Sequence, residues 1–583
     1  MTFTFTVSAA DWARIAPELI LAGMALILLL ADLLLSRPDK SSNASGSLVV
    51  SPKLGLPAKT SGISGNYLVL PALSLLGLAG AFVATILLFV AGDHQNAFNS
   101  MIGSDFGSLY AYIIILSASI LGILLSPAYL NRLNLGHQGE YYALMLLATI
   151  GMMLMAAAVS FLMVFLGLEM LSLALYILCG FVTRRQSSQE SGMKYFLLSS
   201  FASAFLLYGI ALIYGATGST AFPAITKFVA SHTHSTNLLF IGMGLLTVGF
   251  AFKVSGVPFQ AWTPDVYEGA PAPVTAFMSV GTKAAAMLAF VRVFDVVLNP
   301  VANDWLPAVW VITILTIVGG NVMALVQSNV KRLLAYSSIA HAGYLMIGIV
   351  AGSVLGLASI LFYLFCYTFL NLGAFGVVSI LERVDNTGTN LSDIRGLWYR
   401  KPLLAGLLAF FLLALAGFPP MAGFAAKYYI FYAALQTGYP ELLIIGVLAS
   451  VLGMYYYLRV IASMFMEQEA TIEAAPALGQ AQGAVPTGIA APATVVGSPA
   501  PVSATSRTGV TAVVAAEPAK PAANATKGSS PAVFEKSAEQ GLFVGWTTWL
   551  ALGVAALGAL LMGTVLPFWL VNLAQQAGQM MMR

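Results

Sequence analysis

Long uninterrupted apolar segments constrain the fold of this 583-residue sequence more than any other feature. A helix crosses the hydrocarbon core of a bilayer with about 20 apolar residues. By that measure about fourteen segments are long enough to span a membrane. They lie near residues 15–36, 67–91, 109–130, 141–158, 160–182, 194–215, 237–258, 272–297, 304–326, 332–351, 354–381, 402–436, 440–465 and 545–573. The sequence therefore predicts an all-α polytopic membrane protein.

Composition supports a lipid environment. Charged residues make up 8% of the chain and hydrophobic residues 59%, and the mean hydropathy is +0.87. A soluble domain carries about 25% charged residues. So few charges cannot cover a water-facing surface, so lipid must be the solvent. The formal net charge of +3, without basic runs that interleave with aromatic residues, argues against nucleic acid as a partner.

Several other classes of protein are excluded by missing motifs. The N-terminus lacks a basic region and its apolar run exceeds that of a signal peptide, which predicts a retained first transmembrane helix. Cys179 and Cys366 stand alone, which excludes a CxxC metal or iron–sulfur framework and argues against a disulfide. His232 and His234 form an H-x-H with no third ligand, which favours a solvated outer loop. We predict no metal site and no catalytic residue within this chain.

Five ionisable residues remain at membrane depth after loop and edge positions are removed. They are Glu169, Lys253, Lys283, His341 and Lys427. Each charge at a helix centre costs about 2.5–3.5 kcal/mol on insertion scales. Alternatively, a lysine side chain can extend to the membrane interface, and this alternative is strongest for Lys427. His341 could be a hydrogen-bonded core residue. The sum of the penalties nevertheless favours a functional row of charges.

A buried amine beside a carboxylate can act as a proton switch. Low dielectric disfavours a charged amine, and a nearby carboxylate favours it, so a change in their proximity moves a proton. We predict that Glu169 and Lys253 form such a switch and that His341 acts as a relay. A set of hydroxyl groups could line a hydrated path, although aromatic packing explains most of them equally well. These are Tyr195, Tyr336, Ser337, Tyr344, Tyr363, Tyr367 and Tyr428.

Two predicted spans carry helix-breaking residues beside a lysine. Gly256 and Pro258 follow Lys253, whereas Gly417, Pro419, Pro420 and Gly423 precede Lys427. Proline removes a helix hydrogen bond, and the freed carbonyls need protein or water partners in lipid. Broken helices in corresponding positions of two halves indicate an ion site near the membrane midplane. The order of break and lysine is reversed between the halves, which predicts two inverted five-helix repeats.

The repeats define the predicted domain organisation. Basic residues in the loops predict that both termini lie outside the membrane, with about 18 of 26 inside and about 4 outside. Two low-complexity segments, 37–66 and 467–540, are predicted to be a flexible inner loop and an inner linker. The predicted regions are 1–140 with helices 1–3, 141–297 as the first repeat, 304–466 as the second repeat, the linker 467–540, and 541–583 with the last helix.

Long motifs in the sequence resemble the antiporter-like subunits of respiratory complex I. They are "FKVSGVPFQAWTPDVYEGAPAPVTAFMSVGTKAA", "KRLLAYSSIAHAGYLMIG", "LAGFPPMAGFAAKYYIF" and "PELILAGMALILLLADLLL". The "WTPDVYEGAP" portion is more similar to N subunits of bacterial NADH-quinone oxidoreductase than to L or M subunits. The insert at 468–540 departs from the family pattern and affects only the loop before the last helix.

The resemblance implies a proton-pumping membrane subunit in which the five buried residues named above carry the proton. It implies that FMN, iron–sulfur clusters and quinone belong to partner subunits, among them subunit M and the small subunits A, J and K. It also implies a bacterial inner membrane location. Two alternatives share the fold and the buried lysines: a subunit of a multi-subunit cation/proton antiporter, and the membrane arm of a hydrogenase or ferredoxin-linked relative.

Overall fold

The computed structural model describes residues 8–35, 68–92, 95–133, 135, 138–231, 236–466 and 544–582. The predicted loop 37–66, the linker 467–540 and the histidines His232 and His234 lie outside the described residues, so predictions about them remain predictions.

The described residues form an almost entirely helical protein, which confirms the predicted fold class. The two short strands, β1 (Asn96–Ala97) and β2 (Ile102–Gly103), pair in antiparallel fashion. The helices are α1 (Ala9–Arg14), α2 (Ala16–Leu35), α3 (Val69–Ala91), α4 (Phe106–Arg132), α5 (Gly139–Ala156), α6 (Phe161–Cys179), α7 (Gln186–Thr217), α8 (Phe222–Ala230), α9 (Asn237–Val254), α10 (Trp262–Gly269), α11 (Ala272–Val291), α12 (Ala302–Leu325), α13 (Val330–Ala351), α14 (Val354–Leu381), α15 (Leu391–Ile394), α16 (Leu397–Arg400), α17 (Pro402–Ala416), α18 (Ala422–Gln436), α19 (Pro440–Phe465), α20 (Trp546–Thr564) and α21 (Pro567–Met581).

Thirteen of the described helices are long and apolar enough to cross a membrane. The short apolar helix α17 and helix α18 together supply the remaining predicted span, in two pieces. The boundary between the fourth and fifth spans is set by Ser160, whose side chain accepts a hydrogen bond from the backbone N–H of Met163 and so caps α6. A helix requires such a partner because its first N–H groups have none within the helix.

The last predicted span differs from the structure. The sequence indicated one helix over 545–573, but α20 ends at Thr564 and a separate helix α21 begins at Pro567. Proline lacks an N–H and clashes with the preceding turn, so it begins helices and does not continue them. The membrane-crossing part is therefore about one third shorter than predicted, 19 residues long.

Helices α11, α13 and α14 form the centre of the bundle. Within their most apolar windows, 100%, 94% and 94% of residues are buried, compared with 28% for the peripheral helices α2 and α3. Lys283 lies on α11 and His341 on α13. Among the described spans, the most deeply packed helices therefore carry two of the predicted ionisable residues.

Both predicted helix breaks fall beside a lysine. Helix α9 ends at Val254, and Gly256 and Pro258 lie in the turn before α10. Helix α17 ends at Ala416, and residues 417–421 separate it from α18. Lys253 precedes its break and Lys427 follows its break, as expected for repeats of opposite topology. We call helices α5–α11 the first repeat and α12–α19 the second repeat.

The backbone carbonyls released by the breaks find partners within the protein. The Phe252 carbonyl accepts a hydrogen bond from the indole N–H of Trp262 at 3.0 Å. The Ala416 carbonyl accepts one from the Lys427 amine at 2.9 Å. An unpartnered carbonyl is costly in lipid, so these contacts stabilise the interrupted helices. In the second repeat, the break itself supplies a ligand to the lysine.

Candidate functional site

Lys253 is a buried amine held by neutral oxygens. Its side chain on α9 is 2% exposed. The amine donates to the Ser172 hydroxyl on α6 at 2.8 Å and to the Tyr195 hydroxyl on α7 at 3.2 Å. Neutral partners satisfy the donors of the amine without fixing its charge. This environment suits a group that gains and loses a proton.

Glu169 lies one helical turn from Ser172 on α6, at the edge of the exposed face of that helix. The residue is half-buried, and its Oε1 atom is buried with no hydrogen-bond partner among the described residues. It forms no ion pair with Lys253 within the part of the chain that the structure describes. Leu166 and Leu173 on either side of it are about half exposed, at 49% and 54%. The carboxylate therefore lies within electrostatic reach of Lys253, on a residue that borders the exposed face of α6.

An opening beside Lys253 leads between helices α6, α7 and α9. Its cavity volume is about 10 Å³, room for about one water molecule. Ser199 and Ser203 contribute hydroxyls to its wall, and its other lining residues are Leu168, Ala202, Leu206, Gly249, Phe252 and Lys253. The two hydroxyls make the wall beside the amine partly polar.

Lys283 is the central amine and is 1% exposed. It donates to both the backbone carbonyl and the hydroxyl of Ser338 on α13. The Tyr367 hydroxyl on α14 donates to the hydroxyl oxygen of Ser338 at 2.9 Å. A single serine of the second repeat therefore connects the lysine of the first repeat to a tyrosine of the second.

His341 is surrounded by tyrosine hydroxyls. It is 3% exposed, and its Nδ1 lies 2.6 Å from the Tyr363 hydroxyl and its Nε2 lies 3.2 Å from the Tyr457 hydroxyl. The Tyr457 hydroxyl also bonds Ser337, and the Tyr367 ring lies 5.0 Å from the imidazole. A neutral imidazole carries one donor nitrogen and one acceptor nitrogen. The ring can therefore accept a proton from the tyrosine at one nitrogen and donate a proton to the tyrosine at the other.

Lys427 lies at the far end of the row and is 6% exposed. Its amine donates to the Ala416 carbonyl at 2.9 Å and to the Ser450 hydroxyl at 2.8 Å. It also stands 5.2 Å from the centre of the Tyr344 ring, a cation–π distance. The Tyr344 hydroxyl accepts from the Asn321 amide at 3.1 Å. The amine is packed within the bundle.

The five predicted residues are not joined by one continuous chain of direct hydrogen bonds in the described part of the protein. Between the partners of Lys253 and those of Lys283 stand aromatic rings, with Tyr195 stacked on Trp262 at 4.7 Å and Trp262 at 6.1 Å from Tyr267. Between Lys283 and His341 the connection runs through the ring contact of Tyr367 described above. Proton movement along the row would need water or side-chain rotation at these positions.

Sequence reasoning missed several hydroxyl and amide partners. Of the predicted hydroxyl groups, Tyr195, Tyr344, Tyr363, Tyr367 and Ser337 lie at the site, whereas Tyr336 takes no part in these hydrogen bonds and Tyr428 is 54% exposed. The missed partners are Ser172, Ser338, Asn321, Ser450, Tyr456 and Tyr457. Helical spacing could have found two of them, because Ser172 follows Glu169 by three residues and Ser338 precedes His341 by three.

A second group of buried charges was not predicted. Arg185 forms an ion pair with Glu382 at 2.6 Å, and Lys331 lies 3.5 Å from the same carboxylate. The side chains of Lys331 and Glu382 are 1% and 0% exposed. The Tyr129 hydroxyl donates to Glu382 at 2.9 Å. Contacts between helices α4, α7, α13 and α14 bury these residues, and loop composition carries no information about such contacts.

Comparison with known proteins places these features in a family. A family model described as NADH:quinone oxidoreductase/Mrp antiporter, TM matches residues 158–453. NADH-quinone oxidoreductase subunit N from Trichlorobacter lovleyi is 46% identical over 395 residues, which cover 68% of this chain and 80% of that protein. A chain of respiratory complex I from Thermus thermophilus with bound aureothin is 33% identical, with a TM-score of 0.62, and the match covers 78% of this chain and 91% of that one.

A more distant structure shares the fold alone. A chain of the Mrp complex from a Dietzia species superposes with a TM-score of 0.71 and covers 97% of both chains, at 18% identity. The Mrp chain has a higher TM-score than the complex I chain but a lower sequence identity, so structural similarity alone does not distinguish these two relatives. This chain is a multi-pass membrane protein and belongs to the NADH:quinone oxidoreductase/Mrp antiporter transmembrane family.

Proposed function

We propose that this chain is a proton-translocating membrane subunit of NADH-quinone oxidoreductase. The observation that carries the proposal is the row of three buried lysines and one buried histidine, each bonded to neutral oxygens and distributed over both repeats. Charges at membrane depth are costly, and a structural role would be better served by paired charges. Groups with neutral partners can change protonation without leaving a counterion unpaired.

In this proposal, each residue has a separate role in outward proton transfer. Glu169 and Lys253 form the switch, and Lys283 passes the proton between the repeats. His341 continues the relay, and Lys427 delivers the proton to the outward half-path. The absence of a direct Glu169–Lys253 ion pair among the described residues fits a switch in its separated state.

The position of Glu169 suits control by a neighbouring subunit. One of its oxygens is buried without a partner, and it borders an exposed apolar face of α6. A charge brought close by an adjacent subunit would change the balance between Glu169 and Lys253. Lys253 would then release or capture a proton, because the electrostatic field at its amine would have changed.

The other subunits of complex I are the partners of this chain. NADH oxidation and quinone reduction, with FMN and the iron–sulfur clusters, belong to those subunits, so the complex is an enzyme and this chain performs no redox chemistry. Antiporter-like subunit M and the small subunits A, J and K are its proposed neighbours in the membrane arm. The membrane is the bacterial inner membrane. We propose that both termini lie outside; the spans of the described residues, with the broken span counted, are even in number, which is consistent with termini on one side of the membrane.

A subunit of a multi-subunit cation/proton antiporter is the second candidate function. The superposition on the Mrp chain shows that the fold is compatible with this function. The identity of 46% to an N subunit, against 18% to the Mrp chain, favours the respiratory complex. A membrane arm of a hydrogenase or a ferredoxin-linked relative differs in its catalytic partners. Co-purification with flavin and iron–sulfur subunits that oxidise NADH would decide between these assemblies.

The proposal is tested with Lys253→Ala in inverted membrane vesicles that contain the assembled complex. NADH-driven acidification and NADH–quinone turnover are recorded together, with Lys401→Ala at an exposed position as the matched control. We expect Lys253→Ala, and Glu169→Gln in the same assay, to lose acidification, whereas the control retains it. Normal acidification and turnover in Lys253→Ala and Glu169→Gln would show that the buried amine serves only in packing.

A further inference from the structure

Helix α10 lies between the break of the first repeat and the central helix α11, and a carboxylate on it bridges both repeats. One oxygen of Asp265 lies 2.8 Å from the amine of Lys194 on α7, in the first repeat. The other oxygen lies 2.9 Å from the guanidinium of Arg332 on α13, in the second repeat. The same guanidinium nitrogen bonds Glu268 at 2.9 Å.

The charge of Asp265 is maintained by these contacts. Partial burial alone would raise the pKa of the carboxyl, but the hydrogen bonds from Lys194 and Arg332 lower the pKa below its usual value. The other titratable groups that face the bridge are Glu268, which shares Arg332, and Glu190, which bonds Lys194 at 2.7 Å. The bridge is therefore ionised at neutral pH and holds α10 from both sides.

The opposite end of α10 contacts a ligand of the buried amine. Trp262, one turn before Asp265, stacks on Tyr195 with ring centres 4.7 Å apart and an angle of 11° between the rings. The hydroxyl of the same Tyr195 accepts the hydrogen bond from Lys253. The indole also donates to the Phe252 carbonyl, the residue directly before Lys253. One short helix thus touches the inter-repeat bridge at one side and the surroundings of Lys253 at the other.

A second contact fastens the end of α10 to the second repeat. The Lys331 amine donates to the carbonyl of Ala270, which follows the last residue of α10, at 2.8 Å. Lys331 and Arg332 are consecutive residues at the start of α13, so a movement of that helix end would act on two points of α10 together. The break separates α10 from α9, so α10 can move as a unit when the start of α13 moves.

We infer that Asp265 is a positioning residue that couples the second repeat to Lys253. The inference rests on the proposed function and adds to it a mechanical link between the repeats. The bridge from Lys194 through Asp265 to Arg332 fixes α10, and α10 fixes the Tyr195 ring through Trp262. A shift of α13 would move Tyr195 relative to the amine. The protonation of Lys253 therefore depends on the state of the second repeat.

The experiment compares three variants of the assembled complex in inverted vesicles. Asp265→Asn removes the charge and keeps the shape, and Asp265→Glu restores the charge. Glu140→Gln is the control, because Glu140 is an exposed carboxylate on α5 that takes no part in the bridge. Acidification per NADH oxidised is measured across pH. We expect Asp265→Asn to lower this ratio by about fivefold, the lower range for coupling between sites, and to shift its pH profile. Asp265→Glu restores both, and the control changes neither.

Two further results distinguish this inference from the proposed function. If Lys253→Ala abolishes acidification while Asp265→Asn matches its control, the inference is overturned and the proposed function stands. If Asp265→Asn lowers the ratio with an unchanged pH profile, its role is only structural and the inference also fails. In an Arg332→Gln, Asp265→Asn double variant the loss should be smaller than the sum of the two single losses, because both substitutions break the same contact between Asp265 and Arg332.

Discussion

Gly423 lies at the start of helix α18, against the last turn of α17. A Cβ atom added at this position would stand 1.8 Å from the Ala414 carbonyl oxygen and 2.9 Å from its carbon. Real Cβ contacts are essentially never below 3.0 Å, so Gly423→Ala must separate the two backbones by at least 1.2 Å, the difference between 3.0 and 1.8 Å. Both atoms of the contact belong to main chain, so a side-chain rotation cannot relieve it.

The consequence falls on Lys427, one turn further along α18. Its hydrogen bond to the Ala416 carbonyl joins the same two helix ends at 2.9 Å. A separation of 1.2 Å would stretch that bond beyond hydrogen-bonding distance. A hydrogen bond to a charged group contributes about 1.5–3 kcal/mol. We therefore expect the fraction of complexes with a correctly held amine to fall by about tenfold or more.

The assay is NADH-driven acidification in inverted vesicles, normalised to assembled complex. Gly406→Ala is the matched control, since it lies on α17 of the same broken span and its added Cβ would meet nothing closer than 3.9 Å. We expect acidification to fall about tenfold in Gly423→Ala and to remain at the wild-type level in the control. Equal acidification in the two variants would refute the link between the break and the function of Lys427.

Two other substitutions test separate parts of the structure. Ser338→Ala removes the hydroxyl that Lys283 and Tyr367 share and leaves the bond from Lys283 to the Ser338 carbonyl, so acidification should fall about tenfold while assembly is retained. Wild-type acidification would contradict a central role for this serine. Glu382→Gln leaves the guanidinium of Arg185 buried without its counterion, which costs about 3–5 kcal/mol. The purified complex should lose this subunit at a lower temperature, and an unchanged melting curve would show that the ion pair does not hold the helices together.

The sequence by itself determined which segments cross the membrane and where two of them break. Both features are local, because a spanning helix must satisfy its own backbone groups in lipid and proline interrupts that pattern wherever it stands. The ionisable residues at membrane depth were visible for the same reason, since their cost depends on the surrounding apolar residues. The start of α21 at Pro567 also had a local cause, but the apolar run around it concealed the break.

Only the tertiary structure decided what each ionisable group contacts. Ser172, Tyr195 and Ser338 reach the lysines from other helices, and Asp265 meets Lys194 and Arg332 across distant parts of the chain. Hydropathy does not encode which faces of the helices meet. The burial of Arg185 and Lys331 and the half-exposed position of Glu169 likewise follow from neighbouring helices. A side chain's partners depend on packing between segments far apart in sequence, whereas the need to cross lipid is met within each segment.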